Sequence, residues 1–222
     1  MTGSRTATPI GLAPGAPDQA AGQDAAKYGT SNPVVQRLLG RWMDQMQEVL
    51  GEVHGVVVDV GVGEGLALER MVASAHPTVG LEFRLDKARV AKDRLDWLAP
   101  VSGDAGMLPF PDDCADLVTC IELLEHLPTF RPAVTELARI TRGRCVVSVP
   151  WEPWFRLGNL GRGKNLGRLG NDPEHVQAFT PKRLRRALRR GFRDVELHPC
   201  FPWLIAECRG PKHSWTGAAA SG

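Results

Sequence analysis

The sequence predicts an α/β fold, a mostly parallel seven-stranded sheet with helices on both faces. Three observations carry that reading. From Gly55 to Pro150 apolar runs alternate with amphipathic segments. The runs are apolar throughout rather than at every second residue, the mark of strands buried on both faces. The segments between them suit right-handed helical crossovers joining parallel neighbours.

The elements follow in order. Residues 1–26 are mainly Ala, Gly, Pro, Thr and Gln, too poor in large apolar side chains to offset the cost of ordering, and are read as a disordered tail. Residues 27–51 form a cap helix. Asn32 is its N-cap and Pro33 its first helical residue, and Val34, Leu38, Trp42, Met46 and Val49/Leu50 recur as one apolar stripe. The main domain spans 52–210. "GVVVDVG" is a strand and "EGLALERMVASA" a helix; "TVGLE" is a strand and "LDKARVAKDRLDWL" a helix. "PVSGD" is short and extended, "ADLVTCIE" a strand, "RPAVTELARIT" a helix and "RCVVSVP" a strand.

Residues 151–179, "WEPWFRLGNLGRGKNLGRLGNDPEHVQAF", break the rhythm. They are rich in Gly, Arg, Asn and Trp with little periodicity, and are read as a lid insertion. "TPKRLRRALRRGF" is a helix capped by Thr180 and stopped at Gly191, with Leu184 and Leu188 inward. "RDVELHPC" and "PWLIAECR" close the sheet, and 211–222 form a flexible tail.

Composition narrows the class. The formal charge is +2 over 222 residues, so no overall field demands a polyanionic partner. Five cysteines without a C-x-x-C pair argue against a disulfide framework or zinc knuckle, and no metal is expected. No signal peptide and no bilayer-length apolar run are found, so a cytoplasmic location is expected.

The chemistry is concentrated in "VVVDVGVGEG", where Asp59 ends a strand and Gly61, Gly63 and Gly65 follow. A dinucleotide fingerprint needs a third glycine where Leu66 stands, and a phosphate-binding P-loop needs a Lys-Ser/Thr pair that is absent. What remains, D-x-G-x-G-x-G, lets a ligand approach the backbone closely. Glu82 closes the next strand, where an acid in such a sheet accepts from ribose hydroxyls. Asp104 follows the third and can accept from an exocyclic amine. Three acids on one edge of the sheet define one groove.

These residues resemble the class I S-adenosylmethionine (SAM)-dependent methyltransferases. The similarity runs through "VVVDVGVGEG", "VGLE", "GDAGMLPFPDDCADLVTCIELLEHL", "CVVSVP" and "FTPKRLRRALRRGF", most of residues 55–195. "GDAGMLPFPDDCADLV" is especially like the ubiquinone/menaquinone-type, or methyltransferase type 11, branch. The resemblance implies a Rossmann-like class I methyltransferase fold and SAM as cofactor. By it, Asp59 and the Gly61–Gly65 loop hold the methionine end, and Glu82 takes the ribose. Asp104 and the Ala105 amide meet the adenine, and Glu122 joins the cofactor residues. Val62 stands where many relatives carry Cys or Ala, a difference expected to alter only packing. Tyr28 and the Trp42 helix are expected to cap the site.

Methyl transfer from a sulfonium depends mainly on placement, and a base is needed only where the acceptor must lose a proton. His175 on the lid is the preferred base, with His126 in "CIELLEHLP" the second candidate. Trp151, Trp154 and Arg156 are expected to line the acceptor pocket, with Arg162, Lys164 and Arg168 able to meet an anionic or sugar-bearing group. A small-molecule acceptor is favoured. The alternatives are RNA methylation through the basic 156–193 region, and a non-catalytic SAM-fold partner subunit. RNA is disfavoured because Lys182, Arg183, Arg185, Arg186, Arg189 and Arg190 fall on the solvent face of one helix. The missing N/D-P-P-Y/F motif argues against amino methylation of the DNA or glutamine type.

Overall fold

A computed structural model describes residues 31–72, 76–161 and 175–212, the side chains of 158–161 excepted. The expected tail 1–26, Tyr28, and Arg162, Lys164 and Arg168 of the lid lie outside the described residues.

The chain opens with helix α1 (Pro33–Leu50), whose Asn32 cap accepts the N–H groups of Val34 and Val35. Strand β1 (Val57–Val60), helix α2 (Leu66–Met71), β2 (Thr78–Glu82), α3 (Leu85–Arg94) and β3 (Leu98–Ser102) follow. Then come β4 (Ala115–Ile121), a 3₁₀ turn (Leu124–His126), α4 (Arg131–Ile140), β5 (Thr141–Pro150), α5 (Trp154–Gly161), α6 (Pro181–Leu188), β6 (Phe192–Cys200) and β7 (Trp203–Pro211).

The seven strands form one sheet in the order β3-β2-β1-β4-β5-β7-β6. Strands β1 to β5 are parallel, and β7 runs antiparallel to both β5 and β6. From β1 the chain builds outward through β2 to β3, then returns to lay β4 on the other side. The strand order reverses there, and a crevice at the carboxyl ends of β1 and β4 is the usual ligand seat of such a sheet.

Apolar side chains pack on both faces. One cluster joins β1, β4 and β5 to α4 and α6, and the other packs α1, α2 and α3 against the opposite face. Strand β1 is buried at every position, as its unbroken apolar run requires.

Several boundaries differ from the expectation. The stripe of α1 that reaches the core is Leu39, Trp42, Met43, Met46 and Leu50, and Val34 is 66% exposed. The stripe is thus rotated, because the helix must bring both Trp42 and Met46 onto the sheet. Helix α2 ends at Met71, with Val72 extended, and residues 73–75 of the expected helix lie outside the described residues. Helix α3 ends at Arg94, and the Lys92 ammonium donates forward to the carbonyls of Asp96 and Leu98 in the turn into β3. Residues 154–161 of the supposedly aperiodic lid are helical. At the other end, β7 continues into the expected tail as far as Pro211, where Lys212 donates its N–H to Gly191. All five cysteines are free thiols. Among the described residues, no helix is long and apolar enough to cross a membrane.

Candidate active site

The glycine turn leaves β1 at the point where the strand order reverses. Gly61, Gly63 and Gly65 have φ of 86°, 56° and 80°, a left-handed region that side chains strain to enter. The turn is also packed tightly. A Cβ on Gly61 would stand 3.0 Å from Leu123 Cδ2, and one on Gly65 would stand 3.0 Å from Leu95 Cδ1. Glycine is required here both for backbone conformation and for space.

The three acids differ in what they touch. Glu82 accepts the Gly63 N–H through Oε2 at 3.0 Å and the Arg84 N–H through Oε1 at 2.9 Å. It therefore bridges the end of β2 to the glycine turn of β1. Asp104 lies two residues beyond β3 and accepts the Gly106 N–H at 2.7 Å, turning the chain beside the buried Ala105. Asp59 is the exception. It is only 3% exposed, and its Oδ1 accepts the Thr119 hydroxyl at 2.6 Å, tying β1 to β4 beneath the turn. Burial pushes its carboxyl up to about 7; the Thr119 hydrogen bond opposes the shift and the Glu82 charge adds to it. Asp59, expected to hold the methionine end together with the Gly61–Gly65 loop, thus lies buried at the base of that loop.

At the end of β4, Glu122 holds φ 55° and donates its N–H to the Ser148 carbonyl at the same level of β5. A non-glycine residue in that region costs roughly 1–3 kcal/mol, a strain characteristic of functional positions. The 3₁₀ turn that follows carries Glu125, 1% exposed, and His126.

The two histidines expected to serve the acceptor are brought together. Their rings lie 5.1 Å apart and edge-on. The segment bearing His175 is fixed because the N–H groups of Val176 and Gln177 both donate to the Glu125 carbonyl. Gln177 also donates through Nε2 to the Pro128 carbonyl. Behind His175 runs a line of aromatic rings. Phe155 is 5.4 Å from His175 and 6.3 Å from Trp203, and Trp203 stacks on Trp42 at 5.3 Å. Helix α1 reaches the site through this line, with the Trp42 indole N–H on the Ser148 hydroxyl at 3.0 Å.

The expected pocket residues are placed less uniformly. Trp151 pairs as an isolated bridge with Phe179 and donates its N–H to the Pro202 carbonyl. Trp154 is 43% exposed and leans on Phe201, with ring centroids 6.2 Å apart. Arg156 Nε lies 3.5 Å from the Glu152 carboxylate, so it already has an anionic partner. Burial pushes Glu152 above the usual carboxylate range, and Arg156 acts against that shift. The basic side chains of α6 are all exposed, and the Arg183 guanidinium also lies over Phe179 and Phe130.

Two contributors are not evident from the sequence. Phe155 lies inside a segment without clear periodicity. Arg139, on α4, fastens the loop after Asp104: it donates to the carbonyls of Phe110 at 2.7 Å and Leu108 at 3.0 Å, and to Asp112 and Glu136. Glu136 in turn accepts the Leu108 N–H. The one local signal is the helical spacing of Glu136 and Arg139, which does not reveal what lies opposite.

Comparison with known proteins agrees with this geometry. Residues 58–147 match a family model described as a methyltransferase domain. A demethylmenaquinone methyltransferase of Renibacterium salmoninarum is 32% identical over 135 residues, 59% of this chain and 57% of that protein. The one from Beutenbergia cavernae is 30% identical over 141 residues, 60% of this chain and 59% of that protein. The chain thus spans somewhat over half the length of these curated relatives. Among solved structures, the YcgJ protein of Bacillus subtilis aligns with TM-score 0.54 at 22% identity, covering 73% of this chain and 70% of that one. A possible histamine N-methyltransferase of Thermotoga maritima aligns with TM-score 0.60 at 18% identity, covering 78% and 88%. At these identities the structural matches speak for the fold alone.

Proposed function

We propose that this chain, which belongs to the class I SAM-dependent methyltransferases, methylates a small, flat acceptor of the quinone or hydroquinone type. The observation that carries the reading is the pairing of Glu82 with the glycine turn at the reversal point of the sheet. A carboxylate at that strand end, held by the turn's own backbone, fits a ribose above it. The close-packed left-handed glycines fit the backbone approach of an amino-acid group, and the Asp104–Ala105 turn fits an adenine edge.

SAM, when bound, supplies an electrophilic methyl group on a sulfonium. The chain's own residues supply placement. Glu82 orients the ribose, Asp104 and Ala105 set the adenine, and Glu122 closes the cofactor groove at the end of β4. The aromatic line of Phe155, Trp203 and Trp42 gives one wall on which a planar acceptor can lie. Trp151, Trp154 and Arg156 belong to the mouth of that pocket. The acceptor's proton is given up at the His126–His175 pair, beside Glu125. The names of the relatives, which are quinone-directed, support this choice of acceptor class.

The test is direct. The purified chain is titrated with SAM by calorimetry, then given methyl-labelled SAM and a panel of hydroquinones. Label transfer is expected, and His175→Ala should lower turnover by about 10²-fold while SAM affinity stays nearly intact. Absence of SAM binding overturns the reading. SAM binding with label transferred to RNA in place of any hydroquinone overturns the acceptor class.

A further inference from the structure

His175 stands far along the chain from Glu125 and His126, yet each of the three side chains offers a ligand atom within 4.8 Å of the others. Glu125 is 1% exposed, next to the buried Leu124. Its Oε1 lies 3.9 Å from His126 Nε2. That is too long for a hydrogen bond. Two ligands that each stand about 2.1 Å from one tetrahedral cation are about 3.4 Å apart, so a closure of roughly half an ångström would let this pair grip one ion. The two imidazoles meet edge-on rather than stacked. The frame is already built, since the backbone of Val176 and Gln177 is tied to the Glu125 carbonyl.

We propose that Glu125, His126 and His175 bind a divalent transition-metal ion of the zinc type beside the methyl-acceptor groove. Two imidazoles and one carboxylate suit zinc(II), iron(II), cobalt(II) or nickel(II), whereas magnesium and calcium favour all-oxygen surroundings. Three protein ligands leave a fourth position open. An acceptor hydroxyl bound there becomes more acidic and releases its proton to water, so the histidine pair acts through the ion instead of as a free base. This inference rests on the methyl-transfer reading and deepens it.

A second group, Glu196, His198 and Glu207 on β6 and β7, has similar reach. Glu207 Oε1, however, is already claimed by Arg144 at 3.4 Å and Arg209 at 2.8 Å. That group serves as an internal control.

The experiment uses the full untagged chain, zinc(II) alone in calorimetry and cobalt(II) alone in visible absorption. One ion per chain is expected, with micromolar or tighter affinity, a cobalt d–d spectrum of low-symmetry coordination, and no displacement by excess magnesium. His126→Asn and His175→Gln should each weaken zinc by about 100-fold or more, and His198→Asn should leave it unchanged. Circular dichroism confirms that each variant is folded. Because Glu125 is buried and its replacement also tests folding, the two histidine variants decide the matter. The proposal is overturned by absence of one-to-one zinc binding, by displacement with magnesium, by unchanged affinity in His175→Gln, or by loss in His198→Asn. SAM titration runs separately. SAM binding without zinc binding removes the metal and leaves the methyltransferase reading standing, whereas no SAM binding removes that reading whatever zinc does.

Discussion

Glu82 receives the Gly63 N–H at 3.0 Å, so the carboxylate at the end of β2 also clamps the glycine turn of β1. Replacing it removes the brace of the loop and, on the proposed cofactor reading, the partner of the ribose. Glu82→Ala should weaken SAM by about 1.5–3 kcal/mol, the range for a hydrogen bond to a charged group. The fold should survive, because the side chain is not part of the core. Calorimetry gives the answer, and an unchanged affinity would place the ribose elsewhere.

Asp59 makes stability depend on pH. Its carboxyl is raised from 3.8 to about 7 in the folded chain, chiefly by burial. Between those values the folded state holds a proton that the unfolded state has lost. Stability therefore falls as pH rises through this window, and the full penalty is present above it. Asp59→Asn keeps an acceptor for the Thr119 hydroxyl and has no charge to bury. The variant should gain a few kcal/mol at pH 8 relative to the parent and little at pH 4. Urea unfolding at the two pH values measures this, and equal shifts at both would refute it.

Glycines in this chain have opposite sensitivities. At Gly65, φ is 80° and a Cβ would meet Leu95, so Gly65→Ala should cost roughly 1–2 kcal/mol and reduce SAM binding. Gly40 lies inside α1, and a Cβ there would find nothing within 4 Å, so Gly40→Ala should stabilise by about 0.5–1 kcal/mol. Thermal unfolding of both variants tests the contrast.

Arg139 fastens the loop that carries the proposed adenine contact. Removing its bonds to the Phe110 and Leu108 carbonyls frees the loop that follows Asp104. Arg139→Gln should raise the SAM Kd by about 5- to 30-fold, the worth of one or two such bonds. The rate at saturating SAM should hold. A loss of rate with unchanged Kd would show that the loop serves the acceptor instead.

The strand-end acids are legible because strand length and burial can be read from unbroken apolar runs, and the carboxyl edge follows from a parallel sheet. Asp59 shows the limit. That it faces Thr119 is a matter of register between β1 and β4, 60 residues apart, which no local pattern encodes. His126 and His175 each stand out by residue type, but their meeting depends on how the chain after α5 returns to the turn following β4. In α1 the helical period is evident, yet Leu39 and Met43 replace Val34 because two partners on the sheet, Trp203 and Ser148, fix the rotation about Trp42.

Strand β7 lies between β5 and β6, and its Trp203 stacks on Trp42 near the opposite end of the described chain. The order of synthesis then matters. As the polypeptide leaves the ribosome, β1 to β5 and the helices between them can assemble in sequence. Strand β6 has no neighbour until residues 203–211 emerge, and β5 keeps a bare pairing edge for the same interval. Until β7 emerges the nascent protein therefore presents an unpaired edge and an uncovered indole, the features that invite aggregation and chaperone capture. When β7 forms, it joins β6 to the edge of β5 and brings Trp203 onto Trp42 in one step.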